Sequence, residues 1–182
     1  MAYIGLAMPM VAKLTEPANT YSEAFTCGKA IEIHVSPQYA EGNLYGDDAK
    51  SEFDKEFQYA DVTLGTTSLP LKAHEIMFGR TVTESKVAFN ANDEAGYVGL
   101  GFYVTEKVDG VRKYSASWLY KVKFSDGEEV YKTKGNTIEY QTPSITGQAL
   151  ALDDGSWKDF ETFDTKSAAI EWLNKKAGKT VA

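Results

Sequence analysis

The sequence predicts a mainly β fold, a β-sandwich or partly open barrel of antiparallel strands with two helices, and three observations carry that expectation. The first is alternation. From Lys113 to Phe124 the even positions Tyr114, Ala116, Trp118, Tyr120, Val122 and Phe124 are apolar, with Lys113, Ser115, Ser117, Lys121 and Lys123 between them. Successive strand side chains point to opposite faces, so this strand is expected to have one buried and one wet face, with Leu119 as the exception. The second is the recurrence of hairpin dipeptides, Asp109-Gly110 and Asp126-Gly127, with a further turn at Asp154-Gly155. The third is that only two short segments follow a helical period.

Taken in order, Ile31, Ile33 and Val35 alternate with Glu32 and His34, a short strand expected to stop at Ser36-Pro37 because Pro lacks a ladder donor. Gln38 to Ser51 is rich in Gly, Asp and Asn and reads as a long loop. Phe53 to Leu64 returns to strand character, with Phe53, Phe57 and Tyr59 on one parity and Ala60, Val62 and Leu64 on the other. That switch predicts a bulge or twist near Tyr59. Leu71 to Phe78 reads as a short helix, with Pro70 at its start and Gly79 as its stop.

Tyr97 to Thr105 alternates again, and Gly99 and Gly101 leave one face bare for a close neighbour. The hairpin signals then lead into Val111–Phe124 and Glu128–Thr133. A further strand, Asn136 to Gln141, is expected to continue past Pro143 toward Leu152. Thr165 to Lys176 reads as an amphipathic helix, capped by Asp164 or Thr165 and stopped at Gly178. Ala169, Ile170, Trp172 and Leu173 form its apolar side, and docking on the outside of the sandwich should bury Trp172 and Leu173 for ~2–3 kcal/mol each.

The chain has 182 residues, a length that suits one domain over 1–182 and a core needing neither disulfide nor metal. The single cysteine, Cys27, forms no internal disulfide and suits a reducing cytoplasm. No apolar stretch approaches the ~20 residues of a membrane span, and no secretion signal is visible. Net charge is −7, without the basic footprint of a protein that grips nucleic acid. Between Glu32 and Asp61 eight acidic residues face two basic ones, Lys50 and Lys55.

Catalytic patterns are missing. His34 and His74 stand far apart with no cysteine at ligand spacing, and Asp47-Asp48 and Asn92-Asp93-Glu94 do not match a calcium loop. There is no Gly-x-Ser-x-Gly elbow and no phosphate-cradling glycine loop. Neither enzyme activity nor a cofactor is expected. Lys121, Lys123, Lys132 and Lys134 alternate with aromatics, but on the Lys113–Phe124 strand the rings share the apolar parity and are expected to pack inward rather than stack bases.

Four blocks carry a resemblance: YIGLAMPMVAKL (Tyr3 to Leu14), AIEIHVSPQYAEGNLYGDD (Ala30 to Asp48), NANDEAGYVGLGFYV (Asn90 to Val104) and WLYKVKFSDGEEVYKTKGNTIEYQTPSITG (Trp118 to Gly147). In this order they resemble the major tail tube proteins of long, non-contractile-tailed bacteriophages. The resemblance implies a tail-tube-like fold whose subunits form hexameric rings stacked into a hollow tube in the virion, assembled in the host bacterial cytoplasm. It implies as partners further copies of the chain and the tape measure, tail terminator and distal tail proteins, with double-stranded DNA passing through without specific binding. On this reading Ser36 to Ser51 makes the ring-to-ring contact through Tyr39, Leu44, Tyr45, Asp47 and Asp48. Glu32, Asp54, Glu56 and Asp61 line a negatively charged lumen. The competing expectations are a monomeric β-sandwich module that binds carbohydrate or another ligand, and a hydrolase with dispersed carboxylates.

Overall fold

The computed structural model describes residues 2–46, 49–133 and 141–179. The fold is mainly β, with one large antiparallel sheet and two helices. The strands are β1 (Ala2–Thr15), β2 (Thr20–Thr26), β3 (Ala30–Gly46), β4 (Ala49–Thr66), β5 (Thr81–Thr83), β6 (Lys86–Ala88), β7 (Tyr97–Val108), β8 (Val111–Ser125), β9 (Ser144–Leu150) and β10 (Lys158–Phe163). Helices α1 (Leu71–Phe78) and α2 (Lys166–Lys176) follow β4 and β10. The main sheet runs β2-β1-β7-β8-β9-β4-β3, while β5 and β6 form a separate hairpin. β8 is shared: its first half pairs with β10 and its second half with β9.

The expected wet face of β8 is corrected by this architecture. Ser115, Ser117 and Leu119 are as buried as Ala116 and Trp118, because the β1-β7-β8 layer is covered on both sides. On one side Met10, Ala12, Tyr103, Ala116 and Trp118 pack beneath Ala169, Leu173 and Ala177 of the α2 segment. On the other, Val11, Val98, Leu100, Leu119, Val122 and Phe124 share a larger core with α1 and with Ala60, Val62 and Leu64 of β4. The β7–β8 register slips between Val98 and Leu100. That slip lets Leu119 and Val122, of opposite parity, enter the same core.

The bare face at Gly99 and Gly101 is filled as expected. The indole of Trp118 lies over both, so that a Cβ at Gly101 would meet the ring at 2.5 Å and one at Gly99 would overlap it. Tyr21 meets Trp118 edge-on, with ring centroids 5.1 Å apart, and its hydroxyl donates to the Tyr120 carbonyl at 2.7 Å. Burial pushes that hydroxyl up to about 12 and pushes the thiol of fully buried Cys27 up to about 11.

Both helices fall where the pattern puts them. α1 ends at Gly79, whose φ of 66° is left-handed and whose missing side chain admits the Glu94 carbonyl. α2 is capped by Thr165, whose hydroxyl accepts from the Ala168 amide at 3.2 Å. Leu173 is fully buried; Ile170 and Trp172 are half-buried against the same cluster, so the full burial expected for Trp172 is not reached.

The helix is also latched. Lys176 reaches Asp159 and, at 2.9 Å, the Tyr120 hydroxyl, which donates to Asp159 at 2.5 Å. Burial alone would raise the Asp159 carboxyl, but hydrogen bonds from Lys176 and Tyr120 outweigh it and hold the group below the usual carboxylate range. Burial alone would lower Lys176, yet hydrogen bonding to Asp159 and Tyr120 raises it above an ordinary lysine.

Three further expectations are corrected. Asp109-Gly110 does close the β7–β8 hairpin, with both residues at positive φ, but Asp126-Gly127 leads into no strand among the described residues before β9. Glu128–Thr133 is not a strand. Most of Asn136–Gln141 lies outside the described residues, and the strand past Pro143 is β9. Finally, the strand begun at Ile31 does not stop at Pro37. It runs to Gly46 as a sheet edge, where a residue without a ladder donor is tolerated.

Candidate functional site

The segment expected to be a loop is instead the distal half of a long hairpin. β3 pairs with β4 from Ala30 opposite Thr66 to Gly46 opposite Ala49, while β9 pairs with β4 only from Ala60 to Gly65. Beyond Ala60, among the described residues, β4 therefore pairs with β3 alone. The result is a two-stranded arm from Gln38 to Gly46 and back from Ala49 to Tyr59, about 30 Å long at a strand's rise per residue. Of the expected contact residues, Tyr39 lies on this arm and is 41% exposed, and Leu44 and Tyr45 belong to its β3 strand. Asp47 and Asp48 lie outside the described residues.

The parity switch read near Tyr59 is a bulge. Gln38 pairs with Tyr59 and Tyr39 with Phe57, leaving Gln58 as the extra residue. Its effect is to keep one side of the hairpin continuous. Ile33, Val35 and Pro37 lie opposite Leu64, Val62 and Ala60 on the core side, and Tyr39, Glu41 and Asn43 continue it opposite Phe57, Lys55 and Phe53. This aromatic side is tied to the body where Phe57 stacks on Trp157, with centroids 4.7 Å apart. Tyr39 meets Phe57 edge-on at 6.0 Å. Lys55 sits 4.3 Å from the Tyr39 ring centre and 3.5 Å from Glu41.

The other side is acidic. Gly65, Thr63, Asp61 and Tyr59 lie opposite Glu32, His34, Ser36 and Gln38, and past the bulge Glu56 and Asp54 lie opposite Ala40 and Gly42. All four residues expected to line a lumen, Glu32, Asp54, Glu56 and Asp61, thus share one outward face and are exposed. Gln38 and Gln148 hold the Asp61 carboxylate at 3.1 and 3.4 Å, and His34 meets Glu32 at 3.3 Å.

The same face continues across the sheet with the opposite charge. Ser36, Asp61, Gln148, Lys123 and Tyr97 form one cross-strand row over β3, β4, β9, β8 and β7. Lys121 and Lys123 lie 4.4 and 5.2 Å from the Tyr97 ring centre, and Lys121 pairs with Glu16. Lys132, the third lysine of that group, is exposed on the connection before β9, and Lys134 lies outside the described residues. The face is therefore acidic on the hairpin and basic, but engaged, on β8.

One cluster had no sequence signal. Arg80, buried with a side chain 4% exposed, lies between Phe78 and Phe89, 4.5 and 4.0 Å from their ring centres. It donates to His74 Nδ1 at 2.8 Å and pairs with Asp126. Burial and the Arg80 charge lower His74, so its imidazole stays neutral and able to accept. A lone arginine in sequence gives no hint of such a role. Beside it opens a cleft of about 960 Å³ that Asp61, Phe89, Tyr97 and Lys123 help to line. Among the described residues no three His, Cys, Asp or Glu side chains group to hold a metal, and no helix is long and apolar enough to cross a membrane. No known family model matches the chain, and no curated protein matches it in sequence.

Proposed function

We propose that this chain is a structural subunit of a bacteriophage tail tube, which self-associates into stacked rings, hexameric by the family resemblance, through which DNA leaves the virion. The observation that carries the reading is the arm. A two-stranded hairpin is marginal in water by itself, and its open edges invite pairing, so an arm of this length outside the body is built to be covered. A heterologous contact of arm on neighbour propagates into rings and stacks, as a tube requires.

In this reading Tyr39, Leu44, Tyr45, Asp47 and Asp48 contribute the ring-to-ring contact. Glu32, Asp54, Glu56 and Asp61 turn their common face to the channel. A like-charged wall offers no binding minima to the phosphate backbone, whereas a basic wall would create them through counterion release. The proposed partners remain further copies of the chain and, at the tube's ends and in its bore, the terminator, distal tail and tape measure proteins.

Negative-stain microscopy of the purified protein at high concentration tests the reading. Rings or tubes support it, and a compact monomer that retains a glycan supports a carbohydrate-binding module instead. In a residue-resolved map of a tube, a wall lined by Lys121, Lys123 and Lys132 would remove the lumen assignment.

A further inference from the structure

We propose that the bulge at Gln58 gives the arm two unlike faces: its aromatic face meets a second copy of this chain, and its acidic face stays uncovered. This deepens the assembly reading and rests on it. Strand side chains alternate strictly, so Phe57 and Tyr59 would share a face in a regular strand. The extra residue separates them, and Tyr39, Phe53 and Phe57 therefore continue the side that carries Val35 and Val62, while Asp54 and Glu56 join Glu32 and Asp61. One residue keeps Tyr39, Phe53 and Phe57 on the core side and Asp54 and Glu56 on the side of Glu32 and Asp61, with Tyr59 and Glu41 as the exceptions.

Charge selects the face that a copy can cover. The chain carries a net −7, so copies repel one another at long range and a contact must avoid adding to that repulsion. Covering the acidic face would bury the exposed Asp54 and Glu56 on the arm, and Glu32 and Asp61 where the face runs on toward the body, a desolvation cost that partners would have to offset. The aromatic face carries Lys55 beside Glu41 at 3.5 Å, no net charge between them, and rings at Tyr39 and Phe53 that are 41% and 50% exposed. Exposed rings are enriched at interface centres, and the Lys55–Glu41 pair adds no net charge beside them. On the body side the same aromatic surface is already covered by Trp157.

Two variants that alter register separate facing from composition. An Ala inserted between Gln38 and Tyr39 gives β3 a residue to pair with Gln58, which makes the ladder regular and turns Tyr39, Phe53 and Phe57 to the acidic side. Deleting Gln58 also removes the bulge, but Phe57 then directly precedes Tyr59 and both faces stay as they are. Wild type and the deletion variant should form tubes at similar concentration. The insertion variant should form none even at about tenfold higher concentration, the shift expected when interface anchors are lost. Its melting temperature should remain near wild type, and the ring-to-ring nuclear Overhauser contact of Phe57 with Trp157 should disappear.

Tubes from the insertion variant at the wild-type concentration overturn the proposal, as does a failed insertion variant that keeps the Phe57–Trp157 contact. Failure of both variants also overturns it, because the bend of the bulge rather than the facing would then be what assembly needs. A wild-type protein that never assembles removes the tail tube reading itself, and the second copy with it.

Discussion

The sheet around Trp118 and the arm beyond Ala60 are made from the same alternating strands, yet they differ in how many faces and edges the chain itself covers. At Trp118 both faces are packed and both neighbouring strands are present, and the indole is fully buried. On the arm, among the described residues, β4 pairs with β3 alone, and Tyr39 and Phe53 remain about half exposed. Stability is therefore concentrated in the body, and the capacity for association in the arm. Substitutions in the first region should unfold the subunit; those in the second should leave it folded and alter what it binds.

The largest effect is expected at the centre of the body. Trp118→Ala should destabilise by about 3–5 kcal/mol, because the indole fills the space over Gly99 and Gly101 and nothing can replace it; chemical denaturation measures it. Leu173→Ala should cost about 2–5 kcal/mol as a fully buried residue. Trp172→Ala should cost less, since that side chain is half-buried against Phe163 at 6.1 Å. If Trp172→Ala left the melting point unchanged and abolished tubes, α2 would be an interface element. Gly101→Ala should cost about 1–3 kcal/mol by forcing Trp118 from its seat.

A smaller effect attends the α2 latch. Asp159 is held below its ordinary value, so its contribution is full above the carboxylate range and fades as pH falls through the lowered folded value. Lys176 is held above its ordinary value, so its contribution is full below the lysine range and fades as pH rises through the raised folded value. The latch is thus complete at neutral pH. Because the Asp159 side chain is 41% exposed, screening should keep the effect under about 1 kcal/mol. Asp159→Asn should flatten the acid limb of melting temperature against pH. The smallest change in stability belongs to the arm: Tyr39→Ala should move it by no more than about 0.5 kcal/mol, while tubes shorten or vanish in the microscope.

The two regions also differ in how they could be read from sequence. β7, the β8 alternation, α1 and α2 were legible because their apolar positions keep one period and their caps are in place. The parity switch at Tyr59 points to the Gln58 bulge, but the grouping of Glu32, Asp54, Glu56 and Asp61 comes from charge clustered on two strand-like segments, and only the register places the four on one face. The arm reads as a loop in sequence because Pro37, Gly42, Asn43 and Gly46 have low strand propensity, a signal that a partner strand overrides. β1 was missed for a different reason. Met10, Val11 and Ala12 are consecutive and all buried, feeding cores on both sides, so no alternation marks the strand. Short β10 and the Arg80 cluster depend on partners distant in sequence, which no local period encodes.

Hydrogen exchange of the arm amides, compared between the dispersed subunit and the assembled protein, separates an arm that assembly covers from one that it leaves bare. Fast exchange is expected in Tyr39–Gly46 and Ala49–Phe57 of the subunit, slow exchange in Leu100 and Trp118, and strong new protection of the arm on assembly. Assembled protein whose arm amides exchange as fast as those of the subunit would contradict that expectation.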